Sequence, residues 1–127
     1  MPATQTNRIV TANPPGGPEV LRVETRDMPR PGAGEILIRN AACGVNRPDQ
    51  IERMGFYPAP AGAPEGLGLE VSGHIEALGE GVSGFVIGDP VCALVAGGAR
   101  TRAGAVGARG GYDLGDNQVG AVTQANE

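Results

Sequence analysis

The sequence predicts a mainly β protein folded as a small, partly closed barrel with one or two short helices. Three observations predict it. Glycine occurs 22 times and proline 11 times in 127 residues, so the chain turns often and has little length for long helices. Compact aliphatic runs at 35–42, 69–78 and 85–95 are bounded by glycine or proline, the punctuation of short strands. One stretch alone, opening at Pro48, carries helix signals. Short strands dispose of their exposed edges by closing on one another, which favours a barrel.

The elements follow in chain order. Residues 9–11 open the first strand, and Asn13, Pro14, Pro15, Gly16, Gly17 and Pro18 form a turn or loop. Val20, Leu21 and Val23 mix with Arg22 and Glu24 as in a short half-buried strand, which the glycines and prolines of 29–34 end. Ile36, Leu37 and Ile38 make 35–42 the strongest strand prediction. In the helix, Pro48 suits a first position, Asp49 and Glu52 bring negative charge to the first turn, Ile51 and Met54 share a face, and Gly55 is the stop. After a loop at 57–64, a strand runs over 69–78, and 85–95 supplies two more around Gly88 and Asp89. Gly79, Gly81 and Gly84 match the dinucleotide pattern G-x-G-x-x-G, but Gly88, Asp89 and Pro90 follow where a helix must open, so the match reads as a turn.

Charge and cysteine usage exclude several classes. Ten basic residues, all arginine, stand against fourteen acidic ones for a net charge of -4, and no basic block appears; no nucleic-acid partner is expected. No apolar run approaches membrane-spanning length and no leader opens the chain, so a cytoplasmic protein without a membrane partner is expected. Cys43 and Cys92 have no second ligand at metal spacing, which predicts neither a disulfide framework nor a structural zinc site. His74, the one histidine, falls in a predicted strand, where a lone histidine is an ordinary surface residue.

Gly68, Leu69, Glu70, Val71, Ser72 and Gly73, followed by Gly79, Gly81, Val82, Gly88, Asp89 and Val91, resemble the signature of medium-chain dehydrogenases and reductases. With Gly17 to Leu21 and Pro31 to Ile38, residues 8–98 resemble the GroES-like catalytic domain of that family. Leu69 stands where the family's zinc enzymes have histidine, Asn46 where they have a cysteine ligand, and Pro48 where many have a proton-relaying serine or threonine. The resemblance therefore points to the zinc-independent branch, the NAD(P)H:quinone oxidoreductases, with no metal. Asn46, Arg47 and Asp49, then Gly55 and Tyr57, resemble that branch's Asn-Arg-x-Asp and Gly-x-Tyr elements. This implies catalytic roles for Asn46 and Tyr57 in the cleft where nicotinamide meets substrate, and cofactor contacts from Asn46, Arg47 and Tyr57. Against it stands the reading in which Asn46 and Asp49 cap the helix, Tyr57 fills a loop and Arg47 is solvated. Glu70 and Asp49 have supporting roles or plain barrel hydrogen bonds.

The family's coenzyme, NADPH or NADH, rests on a Rossmann domain that follows the GroES-like one, and no such unit follows here. The expectation is a truncated quinone oxidoreductase that binds no coenzyme tightly and is inactive by itself. Its family substrate is a quinone-like molecule, and its exposed docking face favours self-association. A stand-alone GroES-like binding module is the alternative; a zinc alcohol dehydrogenase fragment is opposed by Asn46 and Leu69. Residues 1–7 lack an apolar pattern, and 99–127 carry glycine, alanine and arginine without periodicity. Both are expected to be flexible, the second as an out-of-frame or otherwise aberrant tail, or alternatively a linker or interaction segment.

Overall fold

The computed structural model describes residues 5–63, 65–101, 103–107 and 118–121. Its strands are β1 (Thr6–Ala12), β2 (Leu21–Asp27), β3 (Glu35–Cys43), β4 (Glu70–Leu78), β5 (Pro90–Leu94), β6 (Ala103–Gly107) and β7 (Gln118–Ala121). One helix, α1 (Arg47–Arg53), and a single 3-10 turn at Pro18–Val20 complete the described elements. The strands form an antiparallel pair, β1-β2, and a five-stranded sheet ordered β6-β3-β4-β5-β7. No described helix is long and apolar enough to cross a membrane.

Alternation along β3, β4 and β5 builds the core. Ile36 and Ile38, Val71 and Ile75, and Val91 and Ala93 turn to one face and are nearly inaccessible, with Ala99 beside them. Burying each isoleucine is worth roughly 1.5–3 kcal/mol, and Leu78, Val82, Phe85 and Val95 cover the cluster. β3 and β4 slip register between Leu37 and Ile38 and again between Asn40 and Ala42; such bulges bend the strands.

Backbone hydrogen bonds tie β1 to the segments around Leu67 and Arg100 that flank the larger sheet. Val10 donates its N–H to the Arg100 carbonyl (3.0 Å), Leu67 to the Val10 carbonyl (3.0 Å), and Arg100 to the Leu67 carbonyl (2.9 Å). An isolated bridge pairs Ile9 with Thr101.

The structure differs from the sequence expectation in four places. Residues 85–87 form no strand: Asp89 accepts the Val86 N–H through Oδ2 (2.9 Å) and returns its own N–H to the Val86 carbonyl (3.1 Å), closing a turn. β2 is an edge strand exposed along nearly all its length rather than half-buried. Asn7, expected in a flexible terminus, is buried on β1, while 1–4 lie outside the described residues.

The fourth difference concerns the expected flexible tail. Ala99 is 2% exposed, Asn40 Nδ2 donates to the carbonyls of Ala99 (3.0 Å) and Thr101 (2.7 Å), and β6 and β7 pair with β3 and β5. Strand pairing satisfies backbone groups whatever the side chains, so small residues without periodicity can extend a sheet. The rest of that segment, 102, 108–117 and 122–127, lies outside the described residues.

Candidate active site

The site grows from the turn between β3 and α1. Asn46 is extended, with φ -123 and ψ 163, and begins the helix by accepting the Asp49 N–H on its carbonyl (3.0 Å). Asp49 answers: its Oδ2 accepts the Asn46 backbone N–H (3.1 Å). The Asn46 side chain points elsewhere, its Nδ2 donating to Glu70 Oε2 on β4 (2.8 Å). Gly44 makes that pair possible, because a Cβ there would strike the Glu70 carboxylate and come within 3.2 Å of the Asn46 amide. The Asn46 backbone caps the helix, and its carboxamide is exposed and held by Glu70.

Asp49 is buried, and its charge is met by Arg100, whose Nη2 lies 2.9 Å from Oδ2. The same nitrogen reaches the Gly44 carbonyl (3.3 Å). Asp49 Oδ1 is buried without a hydrogen-bond partner among the described residues. One helical turn on, Glu52 Oε2 accepts the Gly68 N–H (3.0 Å). Burial raises the Glu52 pKa above the ordinary carboxylate value; the nearby Asp49 charge adds to the rise, while the Gly68 N–H and Arg100 oppose it.

A cleft of about 480 Å³ opens here, within the range of small-ligand sites. Val10, Leu21, Val45 and Leu67 give it an apolar wall, and Asn46, Arg47, Asp49, Gln50, Arg53 and Arg100 a polar one. Arg47 is exposed, with no ion-pair partner among the described residues. Arg53 donates from Nε to the Gly16 carbonyl (3.1 Å).

Of the residues singled out by sequence, the cleft gathers Asn46 and Arg47 but not Tyr57, which stands 48% exposed in the loop after α1. Its neighbours Met54 and Phe56 are exposed as well, so neither is core. Arg100 was hidden from sequence reasoning, since nothing in its surroundings has periodicity. Leu69 uses its carbonyl to accept the Val95 N–H (2.8 Å), and His74 is exposed on β4 opposite Arg39 and Pro90. Cys43 and Cys92 are free thiols. Among the described residues no three metal-binding side chains come together.

The alcohol dehydrogenase GroES-like domain model matches residues 32–124. The chain belongs to that family. Its relatives set this GroES-like chain in the zinc-independent, quinone oxidoreductase branch of the medium-chain dehydrogenases and reductases. It is 47% identical over 76 residues to a quinone oxidoreductase of Pseudomonas aeruginosa, across 60% of this chain and 23% of that one.

Among solved structures, the human synaptic vesicle membrane protein VAT-1 homolog-like protein superposes with a TM-score of 0.80 at 32% identity, over 97% of this chain and 37% of its own. The Escherichia coli quinone oxidoreductase, solved in complex with NADPH, gives 0.71 at 36% identity, over 80% and 31%. The chain spans about a quarter of the length of the quinone oxidoreductases it matches.

Proposed function

We propose that this chain forms the substrate-side wall of an NAD(P)H-dependent quinone oxidoreductase and that these 127 residues alone neither hold the coenzyme tightly nor turn over. The observation that carries the reading is the exposed Asn46 carboxamide, fixed by Glu70 at the mouth of a largely apolar cleft. With Nδ2 committed to Glu70, the Asn46 Oδ1 is the acceptor left for a nicotinamide carboxamide or a polar group of the substrate. Arg47 has a guanidinium fork without an ion-pair partner among the described residues, suited to a coenzyme phosphate. Tyr57, half-exposed in the loop after α1, is the third group in this reading and would meet the ligand only from outside the cleft as it stands. These groups fit the coenzyme, which when bound supplies the hydride for reduction of a quinone or related carbonyl. The chain's own part is to orient the reactants and exclude water. No nucleophile or acid and base pair is needed for that.

Orientation of donor and acceptor is worth roughly 7–11 kcal/mol of barrier, which one wall of a cleft does not provide. Exposed Val45, Met54, Phe56 and Tyr57 also favour weak self-association where a second wall is missing.

The test compares NADPH-dependent reduction of a simple quinone by the 127-residue polypeptide and by the same sequence joined in frame to a coenzyme-binding domain. The first should be silent and the second active, with turnover falling about 10–100-fold in Asn46→Ala. Submicromolar NADPH binding by the 127 residues alone, measured by calorimetry, would overturn the reading. A joined protein without turnover would leave the binding module in its place.

A further inference from the structure

Arg100 touches both neighbours of the proposed cleft group without touching the group itself. Its Nη2 donates to the Gly44 carbonyl on one side of Asn46 and to Asp49 Oδ2 on the other (3.3 and 2.9 Å), and that same Oδ2 accepts the Asn46 N–H. We propose that Arg100 is a positioning residue, which holds Asn46 in its cleft-facing geometry through Asp49 and Gly44. The inference rests on the reading of Asn46 as the group that meets the ligand.

Burial gives this arrangement its force. The Asp49 and Arg100 side chains are 7% and 22% exposed, and a buried carboxylate depends on its partners because removing one leaves an uncompensated charge. Asp49 Oδ1 has no partner among the described residues, so among those residues the Asp49 charge is met by the Asn46 N–H and the Arg100 guanidinium. Displacing Asn46 would therefore break a bond to a charged, buried acceptor.

Arg100 is itself fixed. Its backbone N–H and carbonyl are bonded to Leu67 and Val10, and Gly68, at φ +98, leaves space for its stem: a Cβ there would lie 2.9 Å from Arg100 Cγ. Glu52 also feels the Arg100 charge but has its Oε2 on the Gly68 N–H, so Asp49 is the acid that receives the guanidinium. Lysine would keep the charge on a single donor nitrogen, and since one nitrogen of Arg100 makes both contacts, it should restore them in part.

The experiment measures amide exchange by NMR in the 127-residue chain and in Arg100→Gln, Arg100→Lys and the double variant Arg100→Gln with Asp49→Asn. In Arg100→Gln, exchange at Asn46 should rise at least about tenfold, as expected of a local opening, and the Asn46 side-chain amide signals should move, while Ile38 and Ile75 keep their protection. Arg100→Lys should recover part of the Asn46 protection. The double variant carries no unpaired buried charge, so it reports even if Arg100→Gln fails to fold; its Asn46 should exchange fast. Unchanged Asn46 protection in the variants lacking Arg100, loss in step with Ile38 and Ile75, or no recovery in Arg100→Lys would overturn the proposal. The readout involves no turnover, so it stands or falls separately from quinone reduction by the joined protein.

Discussion

At the scale of single residues, the site depends on side chains that are absent as much as on those present. Gly44 is followed by the pair it accommodates, Asn46 with Glu70. Gly44→Ala should therefore push the exposed Glu70 carboxylate off the Asn46 amide, at about 1 kcal/mol, the cost of one hydrogen bond. Gly32→Ala is the control, since its Cβ would meet the Glu35 carboxylate only at 3.3 Å, a contact that a shift of a few tenths of an ångström relieves. Urea midpoints of the two variants provide the check. Similar midpoints would show that the Asn46 and Glu70 contact does not need Gly44.

Residue identity also governs metal binding. Leu69 has no donor atom and Asn46 has an amide, so the purified chain should contain no stoichiometric zinc, and Leu69→His alone should not introduce it, because a catalytic zinc needs three protein ligands. Elemental analysis finding about one zinc per chain in either protein would refute this. These features were legible in the sequence because residue type alone decides them. Tyr57 was different: whether a loop residue reaches a cleft depends on the loop's path, which residue type does not fix.

At the scale of elements, α1 is the piece whose chemistry depends on pH. The raised Glu52 pKa means that the folded chain binds more protons than the unfolded one between the ordinary value of 4.5 and the raised one. Stability is then present in full below that window and is lost as pH rises through it. Asp49 and Arg100 are the charged groups facing Glu52, with opposite effects. Glu52→Gln keeps an oxygen for the Gly68 N–H and removes the charge; it should be at least as stable as the parent at neutral pH, with the advantage shrinking as acidification passes down through the window to 4.5 and level below it. Urea unfolding across that range is the measurement, and an advantage that grows toward acid would contradict it.

The helix, β3 and β4 were readable from proline, glycine and aliphatic patterning, because each buries one defined face. β6 and β7 were not, since their pairing with β3 and β5 rests on backbone groups that every sequence carries. The apolar triplet at 85–87 misled for the converse reason: its composition suits a strand, but the Asp89 carboxylate two residues beyond captures the Val86 N–H and closes the turn.

At the scale of the whole molecule, the exposed apolar residues make a prediction about assembly. Val45, Phe56, Val86 and Ile87 are each more than 60% exposed, so the isolated chain should show concentration-dependent association in sedimentation velocity, reduced by Phe56→Ser. A monomer at all concentrations would argue against a free docking face. The mainly β class was legible from turns and strand runs, but the joining of the two sheets was not: it relies on contacts between distant parts of the chain that no local pattern announces.

One of those contacts sets a schedule for folding. The Thr101 hydroxyl donates to Asn7 Oδ1 (2.9 Å) across 94 positions, and the carbonyl of Arg100 takes the Val10 N–H. On the ribosome, at about 5–20 residues per second, β1 is made on the order of 5–20 s before the segment that completes its hydrogen bonding. Until then β1 can pair with β2 alone, as a two-stranded hairpin that is marginal in water. The earliest strand to be synthesised is therefore among the last to be locked in place, and during that interval its free edge is the part of the nascent chain most open to a chaperone or to a neighbouring copy.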